Sequence, residues 1–293
     1  MLAQARTLWN ALYDLFADSG FSMAGAVAFS FVLALFPFCI FLGAFAGYFG
    51  GEALARAAVA QLFNIVPDAV GRVLEPEVMA VMGRSRFGLL TFGALIALFF
   101  ATSAIESLRA ALNVAYREKE TKSYPACLLQ SMLIVLLSAL GMLAIAWGVV
   151  VGPQLMSGIK PSWLLWLLDQ TWTSLIVRYA IVISIIATQL FAYHLWLAAG
   201  HRRLADVWPG VAMSIVLWIL AAKLFGNWLQ FNDYSRFYAG LTSIMSALVF
   251  FQVTAIVVIL GAELNRAMIT VRIRRDAGPL EARARALVPD RSI

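Results

Sequence analysis

Charge is what this chain is short of. Only 13% of its residues are charged, against 62% hydrophobic, where a soluble domain carries about 25% charged and about 45–50% apolar residues. Such a chain cannot clothe its own surface for water, and its mean hydropathy of +0.84 points to lipid as the solvent. Sulfur and imidazole are scarce as well. The two cysteines, Cys39 and Cys127, and the two histidines, His194 and His201, suggest neither a disulfide framework nor a metal site. HExxH, a Walker loop, GxSxG and CxxC are all missing, which removes the usual signatures of zinc proteases, phosphate-binding loops, serine hydrolases and dithiol redox sites. The histidines flank one end of an apolar run with no carboxylate pattern beside them, so paired acid–base chemistry and metal-assisted hydrolysis lack the groups they need. We read no catalytic residue, no metal site and no cofactor.

Long apolar runs are what the chain has in quantity. A membrane span needs roughly 20 mostly apolar residues, and six stretches qualify: about 24–48, 87–106, 126–151, 174–197, 208–229 and 239–262. The expected fold class is all-α, a polytopic membrane protein with six transmembrane helices. An even number of spans puts both termini on one side. That side carries 14 of the lysines and arginines outside the spans, and the other side 6, which places the N and C termini in the cytoplasm. The formal net charge of +6 then reflects this asymmetry, and no nucleic-acid partner is expected.

Outside the spans the chain divides into recognisable pieces. Within residues 1–22, Leu8, Leu12, Leu15 and Phe16 fall at helical spacing beside Trp9, which suits an interfacial amphipathic helix; packing against the protein is the open alternative. Asp14 and Asp18 and the long run after them argue against a signal peptide. Residues 23–268 form the transmembrane domain. The external connection 49–86 reads as two short helices capping the outer face, and Trp163, Trp166 and Trp172 mark an aromatic belt at the outer interface. Residues 269–293 read as a basic cytoplasmic tail.

Ionisable side chains inside a span mark a pathway by default, since each is costly in hydrocarbon. Lys223 in the fifth run and Arg178 in the fourth both fall in the outer half, with no carboxylate inside the neighbouring spans. They suggest a groove, open to the outer leaflet, that binds an anionic headgroup; snorkelling of both side chains to the interface is the alternative. Gln189 and Gln252, near the centres of the fourth and sixth runs, line the route in this reading. Their ordinary use is hydrogen bonding between helices. Pro37 removes a backbone hydrogen bond and should kink the first span.

Two runs finish alike. IESLRAAL carries Glu106 and Arg109, and LGAELNRA carries Glu263 and Arg266, each pair one turn apart on one helix face. They read first as interfacial salt bridges that fix helix depth. A cross-pair between the two helices, gating the inner mouth of a cavity, is the sharper alternative.

Taken together, AFSFVLALFPF, ESLRAALNVAY, WPGVAMSIVLW and YAGLTSIMSALVFFQVTAIVVILGAELNR resemble the YihY/BrkB family of bacterial inner-membrane proteins, over about residues 20 to 268. The PG of the fifth span and the GAELN of the sixth are the most specific parts. Phe250, Phe251 and Gln252 stand where relatives usually carry a tryptophan. The resemblance implies a multi-pass protein of the inner membrane, from a family once mislabelled ribonuclease BN, with transport of envelope lipids suggested as its role. The expected partners are membrane lipids with anionic headgroups, and a scaffold role in an envelope-transport complex is the expectation from another class.

Overall fold

The computed structural model describes residues 2–34, 37, 87–150, 171–231 and 242–287, and every regular element among them is helical. In chain order these are α1 (Leu2–Ala17), α2 (Gly20–Ala34), α3 (Phe87–Tyr116), α4 (Tyr124–Val150), α5 (Thr171–Ala192), α6 (Leu204–Phe231) and α7 (Thr242–Leu287). Four of them are long and apolar enough to cross a membrane, over Thr91–Tyr116, Tyr124–Gly141, Leu204–Asn227 and Ile244–Ile273; a fifth crossing follows if the bent pair Leu8–Ala17 and Gly20–Ala34 is counted as one. The expected cap at 49–86, the belt tryptophans at 163 and 166 and most of the first run lie outside the described residues, as do the neighbours of Pro37 that would define its kink.

The helices close into a cycle of neighbours. α7 packs on α6 and α3, α3 on α4, α4 on α5, and α5 on α6. The shared core draws Leu108 and Leu112 from α3, Ile134 from α4, Leu190 from α5, Val211 from α6 and Val258 and Ile259 from α7. α2 joins through a Ser30–Ser107 hydroxyl contact of 3.2 Å to α3 and stacking of Phe31 on Phe251 of α7. Exposed Phe92, Leu95 and Phe99 on α3 and Leu129, Leu133 and Leu140 on α4 face outward. An apolar outer surface over helices that satisfy their own backbone hydrogen bonds is what a lipid solvent selects.

Helix ends depart from the ends of the apolar runs. α3 continues to Tyr116, well past the expected end at 106, because hydropathy marks where lipid ends while ALNVAY still favours helix. It stops at a Schellman motif: the Glu118 amide donates to the Asn113 carbonyl and the Arg117 amide to Val114, both at 2.9 Å, with Arg117 left-handed at φ 55°. α7 runs 46 residues without a break, so the tail expected from 269 is helical to Leu287. α1 and α2 meet at 71° across Asp18 and a left-handed Ser19, φ 58°. Gly20 is required just after it, since a Cβ there would lie 2.8 Å from the Leu15 carbonyl oxygen.

Candidate functional site

The densest chemistry lies where the stretches NVAY, YHLW, WPG and GAELNR converge. α5 ends in one π-helical turn, Tyr193–Leu197. A π turn widens the helix by a residue and rotates side chains off the regular face, and it accompanies a His194 that is fully buried. Across from it Tyr116 ends α3, its hydroxyl 2.9 Å from His194 Nδ1. Asn265 of α7 donates from Nδ2 to that hydroxyl at 3.2 Å, and its Oδ1 accepts the Gly210 amide of α6 at 2.7 Å. A hydroxyl that accepts from the amide has its own proton free for Nδ1, an arrangement in which the imidazole carries its proton on Nε2. Among the described residues, Nε2 itself has no hydrogen-bond partner.

Arg202 locks this hub from the side. Its guanidinium lies 3.8 Å over the Tyr116 ring and donates to the carbonyls of His194 (3.0 Å), Ala198 (3.1 Å) and Ala199 (2.6 Å). It thereby caps carbonyls that the end of a helix leaves without partners. Burial pushes the Arg202 guanidinium below its ordinary value, against the opposing pull of Tyr116 and Glu118. Asn113 completes the loop by accepting the Ala199 amide at 2.7 Å. α6 and α7 cross at the same level on glycine. A Cβ on Gly210 would overlap the Gly261 carbonyl oxygen, and one on Gly261 would overlap Ser214 Oγ. Ser214 donates to the Val257 carbonyl at 3.1 Å, the close small-residue contact usual between membrane helices.

The two E-x-x-R pairs are both formed, each within its own helix. Arg109 is only 3% exposed. Its Nε lies 3.4 Å from Glu106, Nη1 donates to Gln130 (3.1 Å), and Nη2 to the Cys127 carbonyl (2.8 Å) and Ser131 (2.9 Å). Ser131 in turn donates to Glu106 at 2.6 Å. Gln130 reaches on to the Trp196 carbonyl in the π turn. The arginine of this pair is therefore buried, and the pair staples α3 to α4. Glu120 closes the network from the α3–α4 loop, 3.5 Å from Arg109. Burial alone would raise its carboxyl, but donation from the Lys122 amide and Asn113 and the Arg109 charge outweigh it and hold it below the usual glutamate range.

The second pair faces α1. Arg266 bonds Glu263 at 3.1 Å and Asp14 of α1, while Arg117 bridges to Asp14 at 3.5 Å and Asp18 at 3.0 Å. Hydrogen bonding to Asp18 raises the Arg117 guanidinium. Among the described residues no ion pair joins Glu106 or Arg109 to Glu263 or Arg266, so the cross-pair between the helices is not formed.

The headgroup candidates are dispersed. Lys223 is exposed on α6, beside exposed Ile219, Leu220 and Leu224, and pairs with no described carboxylate. The side chain of Arg178 lies outside the described residues. Gln189 is occupied between helices, its Nε2 donating to Ser138 of α4 and, at 2.8 Å, to Tyr193. Gln252 is half-buried on α7 beside Gly25 of α2. No group of three or more metal-binding side chains exists among the described residues. Sequence reasoning missed Tyr116, Asn113, Asn265 and Arg202 as members of one hub. For Asn113, Tyr116 and Asn265 the available signal was their place inside these stretches, where Asn265 follows an apolar run as a polar residue that no surface explains; Arg202 lies outside them.

Three comparisons with known proteins bear on this geometry. A family model described as "Virulence factor BrkB" matches residues 11–286. The ribonuclease-like protein YfkH of Bacillus subtilis strain 168 is 25% identical over 252 residues, covering 84% of this chain and 89% of the relative. No solved structure matches.

Proposed function

This chain belongs to the BrkB family of membrane proteins, and from that premise we propose that it is a six-span protein of the bacterial inner membrane, with both termini cytoplasmic, that transports or positions an anionic envelope lipid without catalysing a reaction. One observation carries the lipid reading. Lys223 stands exposed on the apolar outward face of α6, within the candidate span Leu204–Asn227. A lysine costs about 2.5–3.5 kcal/mol at the centre of a span on insertion scales and less toward its ends, and a phosphate or carboxylate headgroup offsets that cost directly. Arg178 supplies a second cation from α5 in this reading. Because the Gln189 amide is already engaged between α4 and α5, a headgroup held at the protein–lipid boundary fits better than a polar route through the bundle.

Lipid copurification with mass spectrometry tests this. Lys223→Ala should lose anionic lipid relative to wild type, while Lys223→Arg should keep it. Equal retention by Lys223→Ala overturns the assignment. The relative's ribonuclease-like name sets a nuclease reading beside this one. Against it stands His194, enclosed and, among the described residues, without a carboxylate partner, where acid–base catalysis needs a group that reaches its substrate.

A further inference from the structure

We propose that α1 is an interfacial helix whose Trp9–Tyr13–Phe16 face sits in the phospholipid headgroup layer, with Asp14 and Asp18 latching its opposite face to the bundle. At about 100° per residue, Trp9, Tyr13 and Phe16 fall within a sector of about 60°. All three are strongly exposed, at 70%, 68% and 67%. Ala11, Asp14, Leu15 and Asp18 occupy a sector of about 100° centred on the other side of the helix. Ala11 and Leu15 are buried in the core, and the two aspartates carry the ion pairs to Arg266 of α7 and Arg117 at the end of α3. Contacts on that side, apolar and ionic together, fix the roll of the helix and so fix which face looks outward.

Two further observations identify the occupant as lipid. First, α1 departs from α2 at 71°. A spanning helix stands on average about 20° from the bilayer normal, so a departure of 71° lays α1 nearer to the membrane plane than to the normal. Second, the aromatic face continues across the bend. Phe16 packs on Phe21 with ring centroids 4.6 Å apart, and Phe21, Phe29 and Leu33 are exposed along the apolar helix α2. The surface that meets lipid on α2 therefore extends without a step onto α1. Tryptophan and tyrosine, each with an apolar body and a polar tip, are the side chains that favour this layer.

A nitroxide scan of the full chain tests the proposal. Single cysteines from Leu8 to Asp18, in a Cys39→Ala/Cys127→Ala background, are labelled and placed in nanodiscs of phosphatidylethanolamine and phosphatidylglycerol. Labels at Trp9→Cys, Tyr13→Cys and Phe16→Cys should collide preferentially with oxygen, the probe that partitions into lipid. Labels at Ala11→Cys and Leu15→Cys should exclude both oxygen and a water-soluble nickel chelate. If the three aromatic positions favour the nickel chelate, the face meets water; if they exclude both probes, protein covers it. Either result overturns the proposal. Should the background fail to fold, quenching by brominated phospholipid in the native-cysteine protein decides: the quenchable emission falls on Trp9→Phe, and no change overturns it.

Discussion

Asn265 is the side chain on which α3, α6 and α7 agree, and replacing it by alanine measures what the agreement contributes. Asn265→Ala removes two hydrogen bonds at a residue with no solvent exposure. Loss of the 2.7 Å bond takes from the buried Gly210 amide its partner across the glycine crossing, at a cost of about 1–3 kcal/mol. Loss of the 3.2 Å bond to Tyr116 adds about 1 kcal/mol. The total is about 2–4 kcal/mol. At about 1.6 °C per kcal/mol for a chain of 293 residues, the unfolding midpoint should fall by roughly 3–7 °C. A thiol-reactive dye suits the measurement, because Cys127 is buried in the folded state and reports its exposure. A cycle with Tyr116→Phe separates network from bulk: the double variant should lose less than the sum of the singles by at least about 0.5 kcal/mol. A midpoint within about 1 °C of wild type, or strict additivity with Tyr116→Phe, would refute the hub as described.

Two other outcomes follow from the α3–α4 staple. Arg109→Ala leaves Glu106 without its buried partner and the Cys127 carbonyl and Ser131 without their donor; breaking a buried pair from one side costs about 3–5 kcal/mol, so dye labelling of Cys127 should quicken as the unfolding midpoint drops. Glu120 is held below its usual range, so its contribution is present above the ordinary glutamate value of about 4.3 and is lost as pH falls through the lowered folded value; unfolding midpoints of wild type and Glu120→Gln should differ at pH 7 and converge under acid, and a constant gap would show that the charge is not the cause.

The helices were readable in the sequence because lipid writes a strong signal: each uninterrupted apolar run that falls on described residues is a helix. Where a run ends was readable only for the lipid boundary. Glu106 and Arg109 looked like the surfacing end of a span because polarity begins there, yet α3 continues past them and their charges turn inward to Gln130 and Ser131. His194 looked interfacial because it follows an apolar run; only the π turn, which no propensity announces, accompanies its burial beneath Arg202. Lys223 shows the opposite limit. Its depth can be counted along a helix, but the direction it faces depends on the roll that Gly210, Ser214 and Asn265 impose on α6.

The glycine seam also constrains how this protein can move. Backbone meets backbone where Gly210 faces Gly261, and no side chain stands between them to swing into a second rotamer. α6 and α7 therefore travel as a single beam, and α3 is tied to that beam through Tyr116. Any relative movement must find its slack elsewhere in the ring, where the joint between α4 and α5 is held by two described side-chain ties, Gln189 to Ser138 and Gln130 to the Trp196 carbonyl.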